Sequence, residues 1–304
     1  MPLHLDRHLR DFATMQQYYR PGQIGWSFEI FPPKTEAAES ALYETSRQLA
    51  RYQPVFLSIT YGAGGSTRTK SLEIARKLIS EIRPPITAHF TCVGSTIDEI
   101  RSWLKDAKQA GVANIMALRG DPPQGQTVFQ QTTNGLRYAS ELVKLIKTEF
   151  PQFGIGVAGY PETHIEATSH ESDLENLVRK VDLGGDVVYT QLFYDNDDFL
   201  RFRDQCHDRK VEVPIVPGLL PVLSLKQVQR ITTLCKAKLP NKLVNDLQRY
   251  NDDPAGQVAV GIAHCTKQLE GLLLAGVPGI HFYVLNRIDS VRQILINIGK
   301  HPTT

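Results

Sequence analysis

The chain has 304 residues, of which 41% are hydrophobic and 22% are charged, and its formal net charge is +2. This length fits one large α/β domain, and the composition is that of an ordinary globular protein. Because the charge is nearly balanced, neither nucleic acid nor an anionic membrane surface is expected as a partner. The first ~25 residues lack a signal peptide's apolar core, no apolar run is long enough to span a bilayer, and the four cysteines are scattered. These features predict a cytoplasmic protein.

Residues 1–22 are polar and are predicted to form a tail or a short helix, so the main domain is expected to cover residues 23–304. From there, short apolar runs alternate with helical patterns. The predicted strands are residues 24–31, 55–61, 86–93, 113–119, 153–160, 187–193, 214–219 and 279–285. The predicted helices are residues 35–51, 66–82, 95–111, 136–149, 171–183, 197–209, two or three within 224–275, and 288–298.

Eight strand–helix repeats without a linker predict a single-domain (β/α)8 TIM barrel, because each interval is long enough for a parallel crossover. The seventh strand is interrupted by Pro217-Gly218, and Ser95 is the predicted N-cap of the third helix. A doubly wound open sheet is the alternative. Its phosphate-binding signature G-x-G-x-x-G is absent after the first strand, where Glu29-Ile-Phe-Pro-Pro stands instead.

Polar side chains recur on one face of the predicted strands, near their carboxyl ends. Since barrel enzymes place their sites at that end, this face is predicted to line the lumen. On the fourth strand the alternation assigns Ala117, Arg119 and Asp121 to the lumen. On the other strands the matching residues include Glu29, Thr60, His89 and Gln191.

Glu29 lies between apolar neighbours, so desolvation is expected to raise its pKa and to keep a proton available for general-acid catalysis. The alternative is a carboxylate that a nearby cation neutralises. Asp121 is either a site residue or a turn residue before proline. His89 is either a core histidine or, with Glu29 and Asp121, a ligand in a metal-dependent lyase or aldolase.

Two further patterns are weaker. The glycine run at residues 61–66 fits a phosphate cradle or a tight turn. On the fifth helix Asp173, Asn176 and Lys180 share one face, with Arg179 beside them. From spacing alone, that face is either a solvated surface or a binding surface for an anionic ligand.

Eight segments in chain order together resemble the methylenetetrahydrofolate reductases. They are residues 27–33 (SFEIFPP), 58–63 (SITYGA), 88–92 (AHFTC), 117–121 (ALRGD), 158–162 (AGYPE, followed by His164), 190–195 (TQLFYD), 216–221 (VPGLLP) and 281–287 (HFYVLNR). The resemblance implies a barrel that binds FAD without a Rossmann domain. It also implies a ping-pong reaction in which NADH or NADPH reduces the flavin, which then reduces methylenetetrahydrofolate to 5-methyltetrahydrofolate.

The resemblance also implies residue roles. Glu29 corresponds to the general acid, Asp121 to a residue that contacts folate and tunes the flavin, and Gln191, Gln227 and Arg287 to folate contacts. Positions that match flavin contacts are Thr60, Tyr61, Ala63, His89, Arg119, Gly120, Asp121, Tyr138, Ala139, Tyr160, His164, Ala167, Asp173, Asn176, Arg179 and Lys180. A homo-oligomer is expected. A folate- or nucleotide-binding barrel without activity is the non-enzymatic alternative.

The sequence departs from the family pattern in three places. Ile231 stands where some bacterial members have a phenylalanine that packs on substrate, so packing there is in doubt. The loop at residues 122–134 is longer than in compact bacterial members. No regulatory domain follows the eighth unit in this sequence, which predicts that S-adenosylmethionine does not inhibit the enzyme.

Overall fold

Parallel strands form the centre of the protein, and helices pack against their outer face. The computed structural model describes residues 14–33, 35–60, 68–121 and 130–303. Its strands are β1 (Gly25–Ile30), β2 (Phe56–Ile59), β3 (Ile86–Thr91), β4 (Asn114–Leu118), β5 (Gly154–Gly159), β6 (Val187–Thr190), β7 (Ile215–Val216), β8 (Gly218–Leu219) and β9 (Gly279–Tyr283).

The helices follow the strands in the predicted alternation. They are α1 (Glu36–Ala50), α2 (Arg68–Glu81), α3 (Ile97–Gln109), α4 (Ala139–Glu149), α5 (His170–Asp182), α6 (Asn196–Asp208), α7 (Leu225–Cys235), α8 (Asn241–Gln248), α9 (Pro254–Leu274) and α10 (Ile288–Asn297). Within the described part of the chain, no helix combines the length and the apolar character that a bilayer span requires.

The strands form a nearly closed barrel in the order β7-β6-β5-β4-β3-β2-β1-β9-β8. β7 and β8 are the two halves of the predicted seventh strand, separated by Pro217, and they pair with β6 and β9 respectively. At the break, the Gly218 amide donates a 2.9 Å hydrogen bond to the Thr190 hydroxyl, so a side chain replaces a strand partner. The predicted single-domain (β/α)8 barrel is confirmed, with a broken seventh strand.

The start of α3 corrects the predicted N-cap. Thr96, not Ser95, is the cap: its hydroxyl accepts a hydrogen bond from the Glu99 amide, and the Glu99 carboxylate accepts one from the Thr96 amide. This reciprocal capping box needs a Glu or Gln three positions after the cap. Thr96 has one in Glu99, whereas Ser95 has Asp98, and the longer side chain is the one that reaches back.

The amino-terminal end of the barrel is closed by the short 3-10 helix Met15–Tyr18 and the residue after it. Met15 is fully buried, and the Tyr19 hydroxyl lies 2.8 Å from the Tyr189 hydroxyl inside the barrel. A Cβ on Gly25 or Gly279, which begin β1 and β9, would lie 2.6 or 2.4 Å from the Tyr19 ring. The closed end leaves the opposite end of the barrel for a ligand.

The prediction of which β4 side chains face the lumen is wrong within the strand. Ala117 packs into the outer core between strands and helices, whereas Met116 and Leu118 line the lumen. After β4 ends, Arg119, Gly120 and Asp121 all border the same cavity. The strict alternation of a strand stops there because Gly120 has a φ of +90°, which turns the backbone.

Candidate active site

A cavity of about 490 Å³ opens at the carboxyl ends of the strands. Barrel enzymes carry their sites at this end, where loops from many strands converge. Nine of the predicted catalytic, flavin and folate residues line it: Glu29, Thr60, His89, Arg119, Gly120, Asp121, Tyr160, His164 and Gln191. The structure thus brings residues from six strand ends into one space.

Glu29 lies on the wall of this cavity with only 6% of its surface exposed. Its strand neighbours in register are Ser58 on β2 and Tyr283 on β9. Its Oε2 atom lies 3.1 Å from Nε2 of His89 and 3.6 Å from Nε2 of His281. Two imidazoles from opposite sides of β1 therefore face one buried carboxylate.

The predicted rise in the pKa of Glu29 is wrong. Burial does raise the pKa, but the attraction of the neighbouring His89 and His281 imidazoles outweighs it and lowers the pKa to about 2. A carboxyl group with that pKa is ionised at neutral pH. The alternative that the sequence left open, a carboxylate neutralised by neighbours, describes the resting state, although the neighbours are histidines.

His281 is held from behind by Ser27. The Ser27 hydroxyl lies 2.8 Å from Nδ1 of His281, and it donates to the Ile280 carbonyl at 3.4 Å. On the other side of the ring, Nε2 of His281 faces the Glu29 carboxylate, which can only accept a hydrogen bond. Ser27, His281 and Glu29 therefore form a connected row of polar side chains inside the barrel.

His281 and Tyr283 also line the cavity, although sequence reasoning did not select them. The Tyr283 hydroxyl donates a 2.7 Å hydrogen bond to the Thr190 carbonyl beside the broken seventh strand. Both residues lie two positions apart on β9, within the HFYVLNR segment. The same alternation that selected Glu29 was therefore available to find them.

The end of β4 brings its backbone unusually close to β3. A Cβ on Gly120 would lie 2.5 Å from Cγ1 of Val93 and 2.8 Å from Cβ of Thr91. Only glycine fits this position, both for its φ and for the space. Next to it, Nη1 of Arg119 pairs with Oε2 of Glu166 at 2.7 Å, so a cation is held at the rim of the cavity.

A second polar group joins β5 to α5. The His164 amide donates to Asp173 Oδ2 at 2.8 Å, and the rings of Tyr160 and His164 lie 4.6 Å apart. Lys180 Nζ donates to the Ala158 carbonyl at 2.5 Å. Burial lowers the pKa of Lys180 to about 8. Asp173 and Lys180 thus face inward, toward the strand ends.

Other predicted site residues lie outside this cavity. Gln227 and Arg287 line an adjoining cavity of about 850 Å³, which shares Leu285 with the first. Asn176 is exposed on α5, and Arg179 borders a separate groove between α5 and α6. Further residues that do not line the main cavity are Tyr138 and Ala139 at the start of α4 and Ala167 before α5. Tyr61 and Ala63 lie outside the described residues.

The hypothesis of a metal site at Glu29, His89 and Asp121 finds no support. Among residues 14–33, 35–60, 68–121 and 130–303, no three His, Cys, Asp or Glu side chains are grouped so that they could hold a metal ion. Glu29 and His89 are close, but Asp121 does not complete a set with them.

The sequence model of the family "Methylenetetrahydrofolate reductase" matches residues 14–299. Methylenetetrahydrofolate reductase (NADH) 1 of Arabidopsis thaliana is 41% identical over 288 residues, 91% of this chain and 49% of that protein. The 5,10-methylenetetrahydrofolate reductase of Escherichia coli strain K12 is 37% identical over 281 residues, 92% of this chain and 93% of that protein. The chain spans about half the length of the plant relatives that it matches.

Among solved structures, the chain is similar to an uncharacterized protein from Clostridium thermocellum that binds two copies of 5-methyl-5,6,7,8-tetrahydrofolic acid. The TM-score is 0.61 at 17% identity, and the match covers 92% of this chain and 96% of that one. At this identity the likeness shows the shared fold alone. The sequence match, by contrast, covers nearly the whole chain at more than a third identity. This chain therefore belongs to the methylenetetrahydrofolate reductase family.

Proposed function

We propose that the protein reduces 5,10-methylenetetrahydrofolate to 5-methyltetrahydrofolate, with FAD bound at the strand ends and NADH or NADPH as the reductant. The observation that carries the proposal is the buried Glu29 between His89 and His281, on the wall of a cavity of about 490 Å³, which is large enough for a ring-sized ligand. The names of the plant and E. coli relatives support the same substrate.

The residues present fit a flavin dinucleotide. A diphosphate needs cations and a closely approaching backbone. Arg119 and the turn at Gly120 supply these at the end of β4, and Lys180 of α5 supplies a second cation beside the Ala158 carbonyl of β5. A ribose or an adenine needs acceptors and amides, for which Asp173 and Asn176 on α5 are suited.

When bound, FAD would accept a hydride from NADH or NADPH and later give it to the folate methylene carbon. One cavity of this size serves one substrate at a time, which supports a ping-pong order. In that order the chain must first hold the nicotinamide against the flavin and later the folate.

Glu29 is proposed to protonate the folate nitrogen whose bond to the methylene carbon opens. Because its carboxyl is ionised at rest, it must first take up a proton, and the imidazoles of His89 and His281 lie beside it. We infer that this three-residue group holds the proton and that Glu29, on the cavity wall, delivers it.

The other polar residues are proposed to orient substrate. Asp121 and Gln191 border the main cavity and would contact the pterin, while Gln227 and Arg287 in the adjoining cavity would hold the rest of the folate. Arginine suits a carboxylate there because its guanidinium binds oxygen pairs. Ile231, on the same α7 face as Gln227, supplies an aliphatic wall. A homo-oligomer in the cytoplasm stays a prediction.

The proposal is tested by purifying the protein, measuring its bound flavin from the visible spectrum, and mixing it anaerobically with NADH or NADPH and then with methylenetetrahydrofolate. The expected result is bleaching by a nicotinamide donor, followed by recovery of the spectrum and formation of 5-methyltetrahydrofolate. A protein that binds flavin and folate without turnover would instead be the non-enzymatic barrel.

A further inference from the structure

Asn286 makes an unusual pair of contacts with the end of β1. Its Oδ1 atom accepts a 2.9 Å hydrogen bond from the Phe31 amide, and its Nδ2 atom donates a 2.8 Å hydrogen bond to the Phe31 carbonyl. One side-chain amide thus satisfies both backbone groups of a single residue. Phe31 lies two positions after Glu29 and lines the same cavity.

These bonds continue the ladder between β1 and β9. The last regular contact is the Val284 amide donating to the Glu29 carbonyl at 3.2 Å. In a longer parallel ladder, Phe31 would bond to the β9 backbone just beyond. The β9 acceptor is already used in another hydrogen bond, since the Val284 carbonyl accepts from the Arg287 amide at 3.0 Å. The Asn286 side chain takes the place of the missing peptide groups.

The backbone turn here requires a special conformation. Leu285 and Asn286 have φ values of +50° and +57°, the sign pattern of a type I′ turn. Asparagine tolerates positive φ better than most residues, whereas leucine does not, so the turn is held at some cost. The turn directs Leu285 to the wall shared by the two cavities and places Arg287 in the second.

We propose that Asn286 is a positioning residue that fixes the proton-delivering end of β1 relative to the folate-holding Arg287. It fastens the strand that carries Glu29 and Phe31 to the turn that carries Arg287, so both ends of one substrate meet a single rigid unit. Of the residues assigned to FAD, Arg119, Gly120, Tyr160, Asp173 and Lys180 lie at the ends of β4 and β5 and on α5, on elements that do not pair with β1 or β9. The inference rests on the proposed function.

The proposal predicts an effect on one half-reaction only. Asn286→Gly keeps the positive φ of the turn and removes the amide, so it isolates the contacts from backbone strain. We expect flavin content and flavin reduction by the nicotinamide donor to stay within about twofold of wild type. Reoxidation by methylenetetrahydrofolate should slow by about 10-fold to 100-fold, with a raised KM for folate.

A second variant separates the two contacts. Asn286→Asp keeps an acceptor for the Phe31 amide but loses the donor to the Phe31 carbonyl. Hydrogen exchange of the Phe31 amide, which needs no substrate, should therefore be fast in Asn286→Gly and slow in Asn286→Asp. Asn297→Ala is the matched control, because Asn297 also makes two side-chain hydrogen bonds, to Gln293 and Thr266, on the surface.

Three results would overturn the inference. They are an unchanged folate half-reaction in Asn286→Gly, an equal slowing of both half-reactions, and loss of flavin, since the last two indicate general disruption. A wild-type protein without any folate half-reaction would refute the proposed function. This outcome is distinguishable from failure of the inference, because hydrogen exchange of the Phe31 amide would still respond to the Asn286 variants.

Discussion

Glu29 carries a carboxyl group that burial alone would keep protonated, yet its two histidine neighbours favour the ionised form. The three side chains come from β1, β3 and β9, so their meeting is a property of the closed barrel. Such a group of side chains suits an acid that must be protonated again after each turnover, because the neighbouring imidazoles can pass a proton to the carboxylate.

The lowered pKa of Glu29 predicts how stability depends on pH. The pKa falls from 4.5 to about 2 on folding, so ionised Glu29 contributes stability above about pH 4.5, and that contribution is lost as the pH falls toward 2. Glu29→Gln should therefore lower the free energy of unfolding by roughly 3 kcal/mol at pH 7, and by less at pH 4. Urea denaturation at each pH measures this difference.

Glu270→Gln serves as the control, because Glu270 is exposed on α9 and its substitution should change the free energy of unfolding by less than about 0.5 kcal/mol. A Glu29→Gln variant as stable as wild type at pH 7, or one whose deficit grows toward acid pH, would contradict the assigned ionisation.

The sequence predicted the position of Glu29 in the barrel but not the ionisation of its carboxyl group. Alternation and apolar neighbours were enough to place Glu29 in the lumen. Its ionisation depends on His89 and on His281, and the contact with His281 forms only when the first and last strands pair. Local spacing contains no information about that contact, so the predicted direction of the pKa shift was wrong.

The strand ends, as elements, decide which groups reach the cavity. The end of β4 leaves regular alternation at Gly120, and this lets Arg119 and Asp121 border the cavity together. Sequence periodicity predicted Arg119 and Asp121 on the lumen face but also placed Ala117 there, because it assumed that the strand pattern holds through the glycine. The broken seventh strand, by contrast, was predictable because Pro217 cannot donate to a ladder.

Gly120→Ala tests the role of this strand end. The added Cβ would collide with Val93 and Thr91 and would force an unfavourable φ, so we expect a loss of about 2–4 kcal/mol in the free energy of unfolding, and weaker flavin binding. Thermal unfolding and a flavin titration measure the two effects.

Gly276→Ala is the matched control, since Gly276 has a φ of +72° but no atom within 4 Å of the position that an added Cβ would occupy. It should cost only about 1 kcal/mol and leave flavin binding unchanged. Equal effects of the two substitutions would show that the close approach of β4 to β3 has no part in cofactor binding.

In the whole molecule, the two ends of the barrel have different roles, one in stability and the other in the proposed chemistry. One end is closed by Met15 and Tyr19, and the other is lined by the polar groups proposed for the reaction. The barrel itself was predictable, because eight repeats with crossover-length intervals leave few alternatives. The closure of its amino-terminal end was not predictable, since nothing in the polar segment before residue 22 indicated that Met15 is buried.

Met15→Ala is expected to lower the free energy of unfolding by about 2–5 kcal/mol, because it leaves a void beneath fully buried strand residues. Flavin affinity should not change, as the substitution lies at the far end of the barrel. Leu274→Ala, at a side chain 90% exposed, should be nearly neutral. A Met15→Ala protein of unchanged stability but weakened flavin binding would contradict this division.

The proposed reaction depends most directly on Glu29, and anaerobic stopped-flow measurement of the two half-reactions in Glu29→Gln tests it. We expect the nicotinamide donor to reduce the flavin of this variant at nearly the wild-type rate. Reoxidation by methylenetetrahydrofolate should fall by about 100-fold to 10,000-fold, because glutamine cannot deliver a proton. Equal slowing of both half-reactions, or a folate half-reaction that survives intact, would contradict the account.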